Sequence, residues 1–208
     1  MDLSSPLRSL APTLDSVVLE VLSGTESSLS LPRITDLAGR GSRQGLTLAM
    51  DRLVASGLVT ATPANRGYMY SLNREHVLSQ AVLSAARARS TIIGRITEQI
   101  ALMTPEPLHA SLFGSFARRE AGPDSDIDVL FILPHTPDDA WHAQAAALGD
   151  DVHAWTGNRM EYIALSVEEF DAAIERGEPI VSSWMSDAVT LHGPTIESMI
   201  RERSGHRG

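Results

Sequence analysis

The chain contains no cysteine and no lysine, so all 17 of its basic residues are arginines. The absence of cysteine excludes disulfides, thiolate nucleophiles and cysteine-ligated zinc. The absence of lysine excludes the P-loop and protein-kinase arrangements, in which a lysine contacts the phosphates, and also any Schiff-base mechanism. No apolar run is long enough to span a membrane, and the N-terminus lacks the pattern of a signal peptide, which favours a cytoplasmic protein.

Charge is distributed unevenly along the 208 residues. Residues 1–80 carry seven arginines and seven acidic residues, whereas residues 81–208 carry ten arginines and nineteen acidic residues. The locally basic segment is residues 30–80, where six arginines face three acidic residues. A nucleic-acid-binding surface is therefore predicted in the N-terminal part of the chain, away from the acidic C-terminal part.

Two carboxylates, Asp126 and Asp128, stand at the start of an apolar run that is typical of a β-strand. Alternate residues of a strand share a face, so both carboxylates are expected on the same side of the strand. Neighbouring carboxylates repel each other unless a cation lies between them, and oxygen ligands of this kind suit Mg²⁺ or Mn²⁺. The pattern therefore predicts a site for a divalent metal ion.

A Gly-Ser turn precedes these carboxylates. Leu112 and Phe113 end a short apolar run, and Gly114-Ser115 is expected to lead from that strand into a helix. The first turn of a helix has free backbone N–H groups that can bind an anion. Glycine allows a phosphate to approach the backbone, and Ser115 adds a hydroxyl donor, so a phosphate site is predicted next to the metal site.

The order Gly114-Ser115, Ala117-Arg118 and Ser125-Asp126-Ile127-Asp128 resembles the signature of the polymerase-β-like nucleotidyltransferases, especially their minimal members. The resemblance implies an NTP held by Gly114, Ser115 and Arg118, two Mg²⁺ or Mn²⁺ ions held by Asp126 and Asp128, and transfer of a nucleoside monophosphate to a hydroxyl. It also implies a third carboxylate on a later strand. Glu161 is the acidic residue in that strand, although family members more often have Asp there.

Two other interpretations of the acidic stretch are available. Asp124, Asp126 and Asp128 imitate the start of an EF-hand loop, but that loop needs Gly at its sixth position and Glu at its twelfth, where this chain has Val129 and His135. The aspartates are alternatively solvated turn residues, as acidic stretches with Pro and Gly often are. The preceding Gly-Ser turn favours the phosphate and metal site.

The N-terminal part of the chain shows three helical segments and a hairpin. Leu14, Val17, Val18, Val21 and Leu22 form the apolar stripe of the first helix. Ser30 and Pro32 start a second helix that ends at Gly39, and Ser42 caps a third. Residues 59–62 and 68–72 are β-prone and are joined by a turn with Asn and Gly. Over about residues 12–76 this pattern resembles a winged helix of the MarR or ArsR type.

If this winged helix binds DNA, its third helix enters the major groove through its first residues. The predicted base and phosphate contacts are Arg40, Ser42, Arg43, Gln44, Thr47, Arg52 and, in the hairpin turn, Arg66. The alternative is a module for protein interaction or dimerisation whose arginines are solvated. A basic excess of three charges is modest, and both interpretations stay open.

The overall prediction is an α+β protein. A winged helix-turn-helix domain is expected over residues 1–78, a connecting helix over 79–104, a nucleotidyltransferase domain with a mixed sheet packed by helices over 105–200, and a disordered tail over 201–208. Residues 170–193 are expected to form the helical end of the second domain. The connecting helix is able to pack on either domain or to pair with its counterpart in a homodimer.

Two functions are consistent with this organisation. The first is a metal-dependent nucleotidyltransferase that uses its winged helix to find DNA or another partner. The second is a DNA-binding transcriptional regulator or antitoxin-type protein whose transferase domain binds nucleotide without turnover. Intact Gly114-Ser115 and both aspartates favour the first, whereas the Glu at position 161 and the fused winged helix favour the second.

Overall fold

The computed structural model describes residues 1–205 and divides the chain close to Arg89. Asp2 and Ser4–Arg89 form an N-terminal unit. Met1, Leu3 and the chain from Ser90 onwards form a C-terminal unit. Across the described residues, no helix has both the length and the apolar character needed to cross a lipid bilayer.

The N-terminal unit combines helices with a small antiparallel sheet. In chain order its elements are α1 (Leu7–Leu10), α2 (Leu14–Ser23), β1 (Leu29–Ser30), α3 (Leu31–Ala38), α4 (Arg43–Ala55), β2 (Val59–Ala64), β3 (Gly67–Leu72) and α5 (Ser79–Ala86). The strand order is β1-β3-β2. The helices and hairpin predicted from the sequence are thus present, and the short helix α1 and the two-residue strand β1 are additions.

Short polar side chains set the starts of α3 and α4, as predicted. The Ser30 hydroxyl accepts from Arg33 N at 3.4 Å, and the Ser42 hydroxyl accepts from Gly45 N at 3.1 Å, which satisfies N–H groups that a helix start leaves unpaired. Gly39 ends α3 with a φ angle of +61°. Both helices therefore begin, and α3 also ends, where local chemistry dictates.

One apolar core holds the N-terminal unit together. The apolar stripe of α2 packs against the buried face of α4 and against the open end of the hairpin, where Val59 pairs with Leu72. Ile34, Leu46 and Met50 are at most 1% exposed. Burial of each such side chain contributes about 1.5–3 kcal/mol, so the three-helix arrangement is stabilised mainly by this cluster.

The C-terminal unit is built on a four-stranded mixed sheet. In chain order its elements are α6 (Ala88–Ile100), β4 (His109–Phe113), α7 (Gly114–Ala117), β5 (Ile127–Leu133), α8 (Asp139–Thr156), β6 (Met160–Ser166), α9 (Val167–Arg176), α10 (Pro179–Asp187), β7 (Val189–His192) and α11 (Ile196–Gly205). The strand order is β6-β5-β4-β7, in which β5 and β6 are parallel and the other pairs are antiparallel.

Strand β5 is buried on both faces and so belongs to two apolar clusters. Ile127, Val129 and Phe131 pack on one face with α6 and α8, whereas Leu130 and Ile132 pack on the other with α9 and α10. This alternation follows from the two-residue period of a strand. Asp128 lies two residues before Leu130 in the strand, so its side chain is on the same face of the sheet, the one that packs against α9 and α10.

The structure differs from the sequence prediction in three places. The connecting helix is two helices, α5 and α6, which belong mainly to different units. Residues 189–192, expected within a helical end, form the edge strand β7. Residues 201–205 of the expected disordered tail continue α11, and residues 206–208 lie outside the described part of the chain.

Candidate functional site

Asp128 lies in the middle of the site because of how its strand pairs with two neighbours. It is opposite Phe113, the last residue of β4, in the antiparallel pair, and beside Glu161 of β6 in the parallel pair. Residues paired across neighbouring strands project to the same face of a sheet. Asp128 and Glu161 therefore stand side by side at one end of the sheet, and Gly114 follows directly after Phe113.

Gly114 brings the backbone against the Asp128 carboxylate. Its φ angle is +68°, in the left-handed region that favours glycine. A Cβ atom at this position would lie 2.5 Å from Asp128 Oδ2, which is closer than non-bonded atoms approach each other. Glycine is therefore needed where β4 meets α7, and Ser115 follows as the second residue of α7.

The electrostatics of the site are dominated by its carboxylates. Burial raises the pKa of Asp128, and the negative charges of Glu161 and Asp126 raise it further, whereas Arg118 lowers it. Asp126 lies one residue before β5 and is partly buried, and Glu161 is exposed. The three predicted carboxylates are thus gathered closely enough for two of them to hinder ionisation of the third.

The donor set of the site fits a divalent cation that is shared with a substrate. Within the part of the chain that the structure describes, no three His, Asp or Glu side chains are grouped so as to hold a metal ion by themselves. Mg²⁺, however, is commonly bound by one or two carboxylates together with substrate phosphates and water. A cation would also relieve the repulsion that raises the pKa of Asp128.

Arg118 is engaged in two ion pairs. Its Nε donates to Glu120 Oε2 at 2.9 Å, and its Nη1 donates to Asp187 Oδ2 at the end of α10. The Ser186 hydroxyl also donates to Asp187, and these two hydrogen bonds lower the pKa of that carboxyl. An anionic ligand that takes up Arg118 must therefore compete with two carboxylates.

The loop before Asp126 is held by the turn between α8 and β6. The side-chain amide of Asn158 donates to Pro123 O and Ser125 O, and Ile127 N donates to Arg159 O at 2.8 Å. Sequence patterns indicated neither Asn158 nor Asp187 as part of the site. The visible signal at Asn158 was its position in a Gly-Asn turn, which is common in loops without any function.

The residues predicted to contact DNA lie around the start of α4 and in the hairpin turn. Arg43 and Gln44 are exposed in the first turn of α4, and Thr47 donates its hydroxyl to Arg43 O at 2.9 Å. Ser42 caps the helix. Arg66 is exposed between β2 and β3.

Two further arginines in the predicted set have different surroundings. Arg40 is exposed directly after α3. Arg52 instead forms a two-pronged ion pair with Asp15 of α2, with N–O distances of 3.0 and 2.7 Å, and this pairing lowers the pKa of Asp15. Arg52 thus has a carboxylate partner within the unit, and its role as a phosphate contact stays a prediction.

Comparison with known proteins gives one family match and a few distant structures. Residues 99–182 match the family described as nucleotidyltransferase domain, a segment that covers less than half of the chain and contains Gly114, Asp128 and Glu161. No curated protein matches the chain. One similar solved structure is a toxin-antitoxin with AMP-PNP, at 16% identity and a TM-score of 0.37, covering 55% of this chain and 91% of that chain. Another is a mutant of the toxin-antitoxin MntA-HpeT, at 14% identity and a TM-score of 0.36, covering 55% of this chain and 91% of that chain.

Proposed function

We propose that the C-terminal unit is a metal-dependent nucleotidyltransferase, which moves a nucleoside monophosphate from an NTP to a hydroxyl group. The observation that carries this proposal is the strand register that sets Asp128 between Gly114 and Glu161. A backbone turn without a side chain, next to two or three carboxylates, suits a triphosphate and its divalent cation. The family match over residues 99–182 supports the same reaction class.

The residues divide the work between binding and proton transfer. The phosphates lie against Gly114 and the Ser115 hydroxyl, while Asp126 and Asp128 would hold Mg²⁺ or Mn²⁺, which neutralises charge on the triphosphate. The acceptor oxygen bonds to the α-phosphorus as the bond from that phosphorus to the bridging oxygen breaks, and pyrophosphate leaves. Glu161 takes the proton of the acceptor hydroxyl, because it is the exposed carboxylate beside Asp128.

Arg118 binds the phosphates of the nucleotide after it releases Glu120 and Asp187, its present ion-pair partners. A guanidinium binds phosphate oxygens through the same parallel N–H groups that it offers to carboxylates. Asp187 and Glu120 therefore keep Arg118 close to the site until a triphosphate replaces them. The arginine is 41% exposed, so this exchange needs no unfolding of the surrounding helices.

The second candidate function is nucleotide binding without turnover in a DNA-binding regulator or antitoxin-type protein. The specific observation in its favour is the pairing of Arg118 with two carboxylates, together with Glu in place of Asp at position 161. Both functions need the same nucleotide site. They differ in whether a labelled nucleotide is transferred to an acceptor.

Incubation with labelled nucleotide distinguishes the two functions. The chain is incubated with each α-³²P-labelled NTP and Mg²⁺ or Mn²⁺, alone and with cell lysate, beside the Asp126→Asn/Asp128→Asn double variant. We expect metal-dependent labelling of a macromolecule by the wild type and none by the double variant. Nucleotide binding with no transferred label under any condition would contradict the enzyme and favour the regulator.

We also propose that the N-terminal unit is a winged helix that binds DNA. Helices α2 to α4 followed by the β2-β3 hairpin present α4 as the recognition helix. Its first turn carries Arg43 and Gln44 exposed, and Thr47 follows in the next turn, partly buried. Arg66 is placed for a phosphate or the minor groove. We assign phosphate contacts to Arg40, Arg43 and Arg66, which are exposed, and not to Arg52, which would first have to leave Asp15.

Salt dependence of DNA binding tests this assignment. Each arginine that neutralises a phosphate changes the log–log slope of affinity against salt by about 0.9. We expect Arg43→Ala/Arg66→Ala to weaken binding to a short random-sequence duplex and to make the slope shallower by about 2, measured by fluorescence anisotropy. Arg52→Ala is the matched control and is expected to leave the slope unchanged. Equal slopes for all three proteins would refute the DNA-binding surface.

A further inference from the structure

The loop that leads to Asp126 is tied down by a buried asparagine. Asn158 is 3% exposed and follows Gly157, the residue at which α8 ends. Its side-chain nitrogen donates to the carbonyl oxygens of Pro123 and Ser125, at 3.0 and 2.9 Å. One side chain therefore holds two of the three residues that immediately precede Asp126.

Asn158 is itself anchored to α8. Its backbone N–H donates to Thr156 Oγ1 at 3.0 Å, and that hydroxyl donates to Val152 O at 2.7 Å, one helical turn earlier. The backbone bond from Ile127 N to Arg159 O joins the start of β5 to the same turn. The amide of Asn158 is thus a rigidly placed donor, and the loop takes its position from it.

Few apolar contacts support the loop on this side. The loop and the turn together line an open cleft of about 340 Å³, and Pro123 and Asp124 are exposed. Within the loop, the Ser125 hydroxyl accepts from Gly122 N at 2.9 Å. Ile127, directly after Asp126, is buried in the core, so packing fixes that side of Asp126, while the hydrogen bonds from Asn158 fix the loop that precedes it.

We propose that Asn158 is a positioning residue that fixes the Asp126 carboxylate for binding of the divalent cation. The inference rests on the proposed function, because the exact position of Asp126 matters for a metal ion and its nucleotide. Groups that orient metal ligands typically affect metal affinity or activity by about 10–100-fold, although they never touch the metal. Loss of the Asn158 amide should therefore weaken metal binding while every carboxylate is retained.

Mn²⁺ affinity is the direct measure of this role. It is determined from the EPR signal of free Mn²⁺ for the full chain with a non-hydrolysable NTP analogue. Asn158→Asp preserves the side-chain shape but turns an oxygen towards the two carbonyls. We expect Mn²⁺ affinity to fall by about tenfold. The Met1 ammonium, which donates to Asn158 Oδ1 at 2.8 Å, would offset much of the added charge. Any remaining charge would attract Mn²⁺ and so has the opposite sign.

Further variants separate positioning from a loss of stability. Ser166→Ala removes the capping box of α9, away from the loop, so we expect a lower melting temperature and unchanged Mn²⁺ affinity. Ser125→Ala loosens the loop from its other side and adds no charge. It is expected to weaken Mn²⁺ binding in the same direction as Asn158→Asp. Asn158→Ala, which removes the amide without adding charge, decides the question if Asn158→Asp does not fold.

The outcomes distinguish this inference from the proposed function. Weaker Mn²⁺ binding in Asn158→Asp and Ser125→Ala, with no change in Ser166→Ala, supports the positioning role. Wild-type affinity in both loop variants would overturn the role of Asn158 and leave the nucleotidyltransferase intact. A wild-type chain that binds no Mn²⁺ with any nucleotide would overturn both.

Discussion

Asp128→Asn is expected to reduce nucleotidyl transfer by at least about 1,000-fold, because a metal ion supplies several kcal/mol of charge stabilisation and each 1.36 kcal/mol corresponds to a factor of ten. The substitution keeps the size of the side chain and removes the charge that binds the cation. The measurement is the rate of transfer from a labelled NTP under saturating Mg²⁺. A variant that keeps full activity would exclude Asp128 from the metal site.

The same substitution is expected to raise the stability of the fold at neutral pH. Burial and two neighbouring carboxylates raise the pKa of Asp128 above its unfolded value, so its ionised form destabilises the folded chain once the pH exceeds that unfolded value. Removing the charge should therefore increase the melting temperature while activity is lost. Asp151→Asn, at an exposed position in α8, serves as the control and should change neither property. A lower melting temperature for Asp128→Asn would show that its effect is structural.

Gly114→Ala is the second substitution with a large expected effect. A Cβ atom here would lie 2.5 Å from Asp128 Oδ2, and a φ angle of +68° is strained for alanine. We expect a loss of about 1–3 kcal/mol in the free energy of unfolding, since non-glycine residues in this conformation carry such a cost. Transfer should fall by about 100-fold or more, because a misplacement of 1 Å in a catalytic site has effects of that size.

Two comparisons separate the clash from the backbone strain. Gly94→Ala, in α6, places its Cβ in open space and is expected to stabilise the chain by up to about 1 kcal/mol. In an Asp128→Ala background the clash is absent, so Gly114→Ala should cost less free energy there than in the wild type. Urea denaturation of the wild type, Gly114→Ala, Asp128→Ala and the double variant measures the difference in the free energy of unfolding. An identical cost in both backgrounds would assign the whole effect to the φ angle.

Much of the secondary structure was predictable because its signals are local. Ser30, Ser42 and Ser166 cap the helices that follow them, and Glu169 completes a capping box with Ser166. The hairpin of β2 and β3 follows from two β-prone segments around an Asn-Arg-Gly turn. Each signal involves residues within a few positions of one another, so the side chains next to each helix start or turn decide where that element forms.

Part of the candidate site was equally accessible from the sequence. Asp126 and Asp128 differ by two positions, and the period of a strand then predicts that they share a face. Gly114 stands out between an apolar run and a polar segment, and the structure supplies the reason in the positive φ angle and the adjoining Asp128 carboxylate. Strand β7 was missed because four residues carry too weak a pattern to be separated from a helical end.

The sequence by itself thus determined the helix starts, the hairpin and the Gly-Ser turn. The tertiary structure decided which distant residues join them. Glu161 stands beside Asp128 because β5 and β6 pair in one particular register, and Arg118 meets Asp187 across 69 positions of the chain. Asn158 reaches Ser125 across 33 positions. Such pairings depend on the register and packing of whole strands and helices, whose free energy is shared among many residues and leaves no local pattern.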